Sequence, residues 1–139
     1  MKIPELLTDL TTHYNSLLRQ YASQLSLTAP QAFHILSIST DGISMSGLAH
    51  RLGIDNSTLT RNIQKLEKLG LVFRKQDVYD KRVIKAYLTQ KGQDMVEQFE
   101  SLLLDLNFSM MNYIELDDQQ NIPEMLEKLV WAMDCIREK

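Results

Sequence analysis

Residues 44–88 read SMSGLAHRLGIDNSTLTRNIQKLEKLGLVFRKQDVYDKRVIKAYL, and their caps, apolar spacing and turn residues indicate the fold. Ser44 is placed to cap a short helix, and Gly53 is placed to end it because glycine readily adopts the left-handed backbone found after helices. Asp55 or Asn56 is placed to cap a second helix, whose apolar residues recur at the spacing of one helix face. The sequence therefore predicts two helices joined by a tight turn.

A β-hairpin is predicted directly after this pair of helices. Residues 71–75 and 83–88 are β-prone, and the polar stretch between them favours a turn with a charged tip. A short helix, a tight turn, a second helix and a hairpin form the order of a winged helix-turn-helix. We therefore predict a mainly α (α+β) fold, a winged helix-turn-helix with a small β-hairpin wing between N- and C-terminal helices.

Amphipathic helices are predicted on both sides of this module. One covers residues 3 to about 24, and a second runs from the capping residue Thr28 to about Ser39. A long helix starts at Thr89, and a last helix ends near Arg137. Their apolar residues recur every three or four positions, so each helix has one face to bury.

The whole chain, 1–139, is predicted to be a single domain. It divides into a winged helix-turn-helix module, 28–91, and flanking dimerisation helices, 1–27 and 92–139. The flanking segments contain more amphipathic helix than the module needs to cover itself. Their spare apolar stripes should therefore bury against a second copy, which predicts a homodimer.

Charge is distributed unevenly along the chain. The net charge is -3, but residues 51–91 contain ten basic and four acidic side chains, a net charge of +6, and the rest of the chain has a net charge of -9. A compact basic segment between acidic ends is typical of a phosphate-binding module on a non-binding scaffold.

Several other classes of protein are excluded by composition and motifs. A lone cysteine, Cys135, cannot form an internal disulfide, and no metal-ligand spacing is visible. No apolar run is long enough for a membrane helix or a signal peptide, so a cytoplasmic protein without a membrane partner is expected. Phosphate loops, nucleophile elbows and paired carboxylates are lacking as motifs, so we expect no catalytic residue, metal or cofactor.

The second helix of the module has the residue types that reach DNA. It covers about residues 56–69, with Leu59, Ile63, Leu66 and Leu69 predicted inward. Its start is lined by small polar residues that let the helix approach base edges, and these are Asn56, Ser57, Thr58 and Thr60. Arg61 and Lys65 extend far enough for guanine edges or phosphates. At the hairpin tip, Lys81 and Arg82 suit the negative potential of the minor groove.

In its motifs the sequence resembles the MarR-type (multiple antibiotic resistance regulator) transcription factors. The matching segments cover about residues 27–92 in unbroken order. They are Leu27-Thr28-x-x-Gln31, Leu48-Ala49-x-x-Leu52-Gly53-Ile54, Ser57-Thr58-Leu59-Thr60-Arg61, Leu66-Glu67-Lys68-Leu69-Gly70-Leu71-Val72-x-Arg74, Asp80-Lys81-Arg82 and Leu88-Thr89-x-Lys91-Gly92. The resemblance implies a homodimer on palindromic double-stranded DNA and repression that a small molecule or an oxidant relieves.

The resemblance also implies roles for individual residues. The helix residues from Ser57 to Lys65 would read or grip the major groove, and Arg82 would enter the minor groove. Asp80 would orient Arg82 or pair with Arg74. The full set of predicted DNA-binding residues is Ser44, Asn56, Ser57, Thr58, Thr60, Arg61, Lys65, Arg74, Asp80, Lys81 and Arg82.

An effector pocket is predicted where the first long helix, the second helix and the start of the fifth helix meet. His13, Tyr14 and His34 are its candidate lining residues, although a lone helical histidine is more often a partly buried structural residue. The reactive N-terminal cysteine of the family's peroxide sensors is missing. Cys135 is better interpreted as a small apolar interface residue than as a reactive thiol.

A different class of function competes with DNA binding. A winged-helix module could bind a protein partner through its basic face and never contact DNA. Salt distinguishes the two hypotheses, because counterion release from DNA gives a steep salt dependence and a protein partner a shallower one.

Overall fold

The computed structural model describes residues 2–139. Along this part of the chain the elements are α1 (Ile3–Gln24), α2 (Ala29–Leu36), β1 (Ile43–Ser44), α3 (Met45–Leu52), α4 (Asn56–Lys68), β2 (Val72–Gln76), β3 (Ile84–Leu88), α5 (Gln90–Met111), α6 (Leu116–Gln119) and α7 (Ile122–Arg137). The predicted helices and the hairpin are therefore present in the predicted order.

A side-chain capping box fixes the start of α2, and a serine hydroxyl closes the turn after its end. Thr28 Oγ1 accepts from the Gln31 amide at 3.2 Å, and the Gln31 side chain accepts from the Thr28 amide at 3.0 Å, so the predicted capping box is confirmed. The helix ends at Leu36, three residues before the predicted end at Ser39. Ser39 instead closes the next turn, because its hydroxyl donates to the Gly42 carbonyl at 2.8 Å.

The helix-turn-helix is capped by its own polar residues. Ser44 Oγ accepts from the Gly47 amide at 3.0 Å and starts α3. Gly53 follows α3 with a φ of 69°, in the left-handed region. Of the two candidate caps for α4, the structure uses Asp55, whose Oδ1 accepts from the Thr58 amide at 2.7 Å.

The wing belongs to a three-stranded antiparallel sheet in the order β1-β3-β2. Each wing strand starts one residue later than predicted. The third strand, β1, was not predicted, and it pairs Ile43 with Ala86 and Ser44 with Lys85. With α3, α4 and this sheet in place, the predicted mainly α winged helix-turn-helix is confirmed.

The buried side chains of the module come from its helices and sheet. Leu59, Ile63 and Leu66 of α4 are fully buried, as predicted, and Ala86 of β3 is buried as well. Leu69 was predicted to point inward and is 41% exposed, because it lies one residue after the last residue of α4, where the backbone turns away.

Contacts divide the chain into two compact units, one ending at Leu102 and one covering Leu103–Lys139. In the second unit, Gln119 of the short helix α6 donates to the carbonyls of Met111 and Ile114, at 3.0 and 2.8 Å. Every residue from 123 to 139 is exposed. No helix within residues 2–139 combines the length and the apolar character needed to cross a membrane.

Candidate nucleic-acid interface

The start of α4 is held by a chain of polar contacts that ends on an arginine. The Thr58 hydroxyl donates to Asp55 Oδ2 at 2.9 Å and accepts from Arg61 Nη2 at 3.4 Å. The amide and the hydroxyl of Thr58 lower the pKa of Asp55 below its ordinary value, and Arg61 adds a smaller electrostatic contribution. The cap therefore stays charged, and the guanidinium lies along the outer surface of the helix.

The outer face of α4 is polar and open to solvent. Ser57, Arg61 and Lys65 are all exposed on it, as predicted. Thr60 is half-buried, and its hydroxyl donates to the Asn56 carbonyl at 2.9 Å. Thr60 therefore has only its methyl group and an acceptor oxygen available to a ligand.

The wing tip is ordered by two aspartates. Asp77 Oδ2 accepts from the amides of Tyr79 and Asp80 at 3.2 and 3.0 Å, which fixes the turn. Asp80 in turn accepts from Arg82 Nε at 3.1 Å and from Arg82 Nη2 at 3.2 Å. The Arg82 side chain, followed by the Arg82 amide, lowers the pKa of Asp80, and Arg82 is 91% exposed. The arginine is thus oriented and still accessible.

Arg74 has a partner that was not predicted. Of the two roles predicted for Asp80, the structure contains the contact with Arg82, whereas Arg74 Nη2 pairs with Glu67 Oε1 of α4 at 2.9 Å. Both side chains of the Arg74–Glu67 pair are about 30% exposed, so the pair joins β2 to α4 and is still in contact with solvent.

A cleft of about 320 Å³ lies between the start of α3, α4 and the wing. Five of the predicted DNA-binding residues line it, and they are Ser44, Asn56, Thr60, Arg74 and Arg82. The other predicted residues lie outside this lining, with Lys65 on the exposed face of α4 and Lys81 at the wing tip. Two guanidinium groups and several hydroxyl or amide groups in one concave surface favour an anionic ligand.

The candidate effector residues have different surroundings. His13 and Tyr14 are exposed on α1, whereas His34 is buried. His34 Nδ1 bonds to the Pro30 carbonyl, and the Asn62 amide nitrogen lies 3.0 Å from His34 Nε2. Because a carbonyl only accepts, Nδ1 carries the proton and Nε2 accepts from Asn62.

Burial lowers the pKa of His34, against a smaller opposing effect of its bond to Pro30, so the neutral ring is favoured. Asn62 was not singled out from the sequence. The feature of the sequence that could have identified Asn62 is its position directly before buried Ile63, at the edge of the inward face of α4.

Comparison with known proteins finds similarity to one family of transcription regulators. A sequence profile of the MarR family matches residues 27–84. The regulator SarZ of Staphylococcus saprophyticus is 28% identical over 117 residues, which cover 73% of this chain and 80% of SarZ. A cysteine-to-serine mutant of MarR from E. coli is 27% identical, with a TM-score of 0.82 over 94% of this chain and 97% of that one. Together these similarities support a MarR-family winged-helix regulator.

Similarity to the MarR family bears on function. Members of that family are transcription regulators and not enzymes, which supports DNA-binding regulation. The E. coli MarR mutant has also been solved with operator DNA, and that chain is 29% identical with a TM-score of 0.77 over 91% of this chain and 94% of that one.

Proposed function

We propose that this MarR-family protein is a homodimeric, sequence-specific repressor that binds palindromic operators and responds to a small-molecule effector. The observation that carries the proposal is the cleft in which Arg74 and Arg82 converge with the start of α4. Exposed cations on a helix and a wing match a duplex that offers base edges in one groove and phosphates along its length.

Arg61 and Arg82, the predicted DNA-binding arginines that do not pair with Glu67, have different roles in this proposal. Arg61, on the exposed face of α4, donates two hydrogen bonds to one guanine in the major groove. Arg82, held by Asp80, enters the minor groove and responds to its width and potential. Lys65 contacts a phosphate and carries no sequence information.

The experiment is a titration of Arg61→Ala, Arg82→Ala and Lys65→Ala on an operator enriched from random duplexes, on point mutants of that operator and on random DNA. Arg61→Ala should cost roughly 1 to 3 kcal/mol and flatten the preference at one base pair per half-site. Arg82→Ala should weaken binding and remove a preference for A·T-rich flanks. Lys65→Ala should weaken binding to all sequences and reduce the salt slope by about one per site.

Three variants that bind like the parent would contradict this surface. A parent protein with no salt-dependent affinity for any duplex would favour the alternative function, a module that binds a protein partner.

Homodimerisation is supported by the apolar side chains left at both ends of the chain. On α1, Ile3 is 65% and Leu10 54% exposed, and on α7, Trp131 and Ile136 are both 70% exposed. Apolar side chains of this size that are left in solvent favour burial against a second copy. The purified protein should have a dimeric mass by light scattering at micromolar concentration, and a Leu103→Asp, Leu129→Asp double variant that stayed fully dimeric would contradict this interface.

Effector control is proposed through α1 and α2, with His13, Tyr14 and His34 as candidate contacts. The support is the hydrogen bond that the Asn62 amide donates to His34 Nε2, which connects α4 directly to α2. An effector and DNA must weaken each other's binding by the same factor, typically ~5- to 150-fold. Small phenolic acids should therefore raise the melting temperature and lower DNA affinity together, and compounds that change neither quantity would leave these three residues without a role.

A further inference from the structure

The wing tip carries an apolar surface that the contacts above do not use. Tyr79 is 97% exposed, and its neighbour Val78 is 78% exposed. Lower on the same hairpin, Phe73 and Tyr87 stack on each other with ring centroids 5.3 Å apart. The two strand rings thus pack on each other and are partly shielded, with Phe73 43% exposed, whereas the ring at the tip has no such partner in the described part of the chain and lies in solvent.

The backbone that carries Tyr79 is ordered. Its amide donates to Asp77 Oδ2 at 3.2 Å, and the two ends of the turn are joined by the Asp77 amide and the Val83 carbonyl at 2.9 Å. A tyrosine on a fixed backbone has only two side-chain torsions to order on binding, so it supplies a large contact area at a low entropic cost.

The ring lies in the same turn as two exposed cations, Lys81 and Arg82. Proteins that enter the minor groove commonly combine cationic side chains with apolar ones, because the groove is lined by deoxyribose carbons between two rows of phosphates. A turn with Val78 and Tyr79 on one part and Arg82 on the other offers both kinds of group.

We propose that Tyr79 is a further DNA contact of the wing, with its ring packed against the deoxyribose wall of the minor groove that Arg82 enters. The inference rests on the proposed function, because it needs the wing to lie on a duplex. An uncharged ring releases no counterions, so its contribution to affinity should not vary with salt. Lys81 contacts phosphate and should show the opposite behaviour.

The experiment measures operator affinity of the parent, Tyr79→Ala, Tyr79→Phe and Lys81→Ala at four salt concentrations. Tyr79→Ala should bind about tenfold more weakly for each wing that engages, by the same factor at every salt concentration. Tyr79→Phe, which keeps the ring, should bind within about twofold of the parent. Lys81→Ala should reduce the slope of log affinity against log salt by about one per site.

A second variant, Tyr79→Lys, distinguishes a contribution of the aromatic ring from a contribution of charge at this position. It replaces the ring by a cation, so its binding should recover at low salt, fall away at high salt and have the steeper slope. Tyr79→Ala that binds within twofold of the parent, or whose deficit disappears as salt rises, overturns the contact while DNA binding by the parent still stands. A parent that binds no duplex overturns the proposed function itself.

Discussion

Replacement of Gly92 by alanine would place a methyl carbon 2.1 Å from the carbonyl oxygen of Leu71 and 3.1 Å from its carbonyl carbon. Gly92 lies in the first turn of α5, and the Leu71 oxygen it faces also accepts from the Thr89 amide at 3.0 Å. Both clashing atoms belong to the main chain, so no side-chain rotation relieves the overlap. The start of α5 must move away from the residues that follow α4.

The change in the free energy of unfolding combines one stabilising effect with two destabilising ones. Helix propensity alone predicts that Gly92→Ala stabilises the protein by about 0.5 to 1 kcal/mol. Overpacking against a fixed backbone costs about 1 to 3 kcal/mol. Displacement of the Thr89–Leu71 hydrogen bond adds about 0.5 to 1.5 kcal/mol. We therefore expect the free energy of unfolding to fall by about 1 to 3 kcal/mol, opposite in sign to the propensity effect.

Gly47→Ala is a matched control. Gly47 and Gly92 are each the third residue of a helix, and each amide donates to the hydroxyl of the capping residue at 3.0 Å. A methyl group at position 47 overlaps with the Ser44 hydroxyl, at 2.8 Å, which can rotate, and it makes ordinary contacts with the Ile43 side chain at 3.6 and 3.9 Å. The free energy of unfolding should therefore change by no more than about 1 kcal/mol, the value of one cap.

Both variants should be unfolded in urea at one fixed protein concentration, because dissociation of the proposed dimer would make stability concentration-dependent. A Gly92→Ala variant as stable as the parent would refute the close approach between α5 and Leu71.

Three further outcomes are expected. Burial lowers the pKa of His34 below 6.5, so as the pH falls below that value the unfolded chain binds the proton first and the free energy of unfolding decreases. His34→Gln should remove this part of the pH dependence in urea titrations. His13→Gln, at an exposed position, should retain it. Asp55→Ala removes the cap of α4 and should lower the melting temperature, whereas Asp55→Asn, which can still cap, should melt close to the parent. Asp80→Asn removes a negative charge and one partner of Arg82, so the ratio of operator to random-DNA affinity should fall several-fold in parallel titrations.

Local signals in the sequence were sufficient for most of the fold. Caps such as Thr28, and the glycine that follows α3, need only a few neighbouring residues to act, and the apolar spacing of α4 already indicates its buried face. The strand β1 was missed because its two residues, Ile43 and Ser44, are too few to show alternation. It exists only because β3, more than forty residues later, supplies its hydrogen bonds.

The partners of the site residues were predictable only over short separations. Asp80 and Arg82 are two residues apart within one turn, so their contact could be expected. Asp80 was the acidic partner suggested for Arg74, and the observed pair with Glu67 depends on how β2 packs against α4. His34 and Asn62 are 28 residues apart, and periodicity assigns each to a face without saying which residue it meets.

The recognition helix α4 and the residues that directly follow it are held by contacts with three other segments. Asn62 bonds to His34 of α2, and Glu67 pairs with Arg74 of β2. The carbonyls of residues 69, 70 and 71, just after α4, accept from Lys91 and Thr89 at the start of α5. A rotation of α4 alone would break the contacts with α2 and β2 and strain the segment anchored at α5, so α4 moves with its module as one body. In the proposed dimer, an operator with half-sites about 34 to 36 Å apart binds well only when the two modules are separated by the same distance. The proposed effector must therefore act by changing the spacing of two intact modules, and an effector that left that spacing unchanged would have no means of releasing DNA.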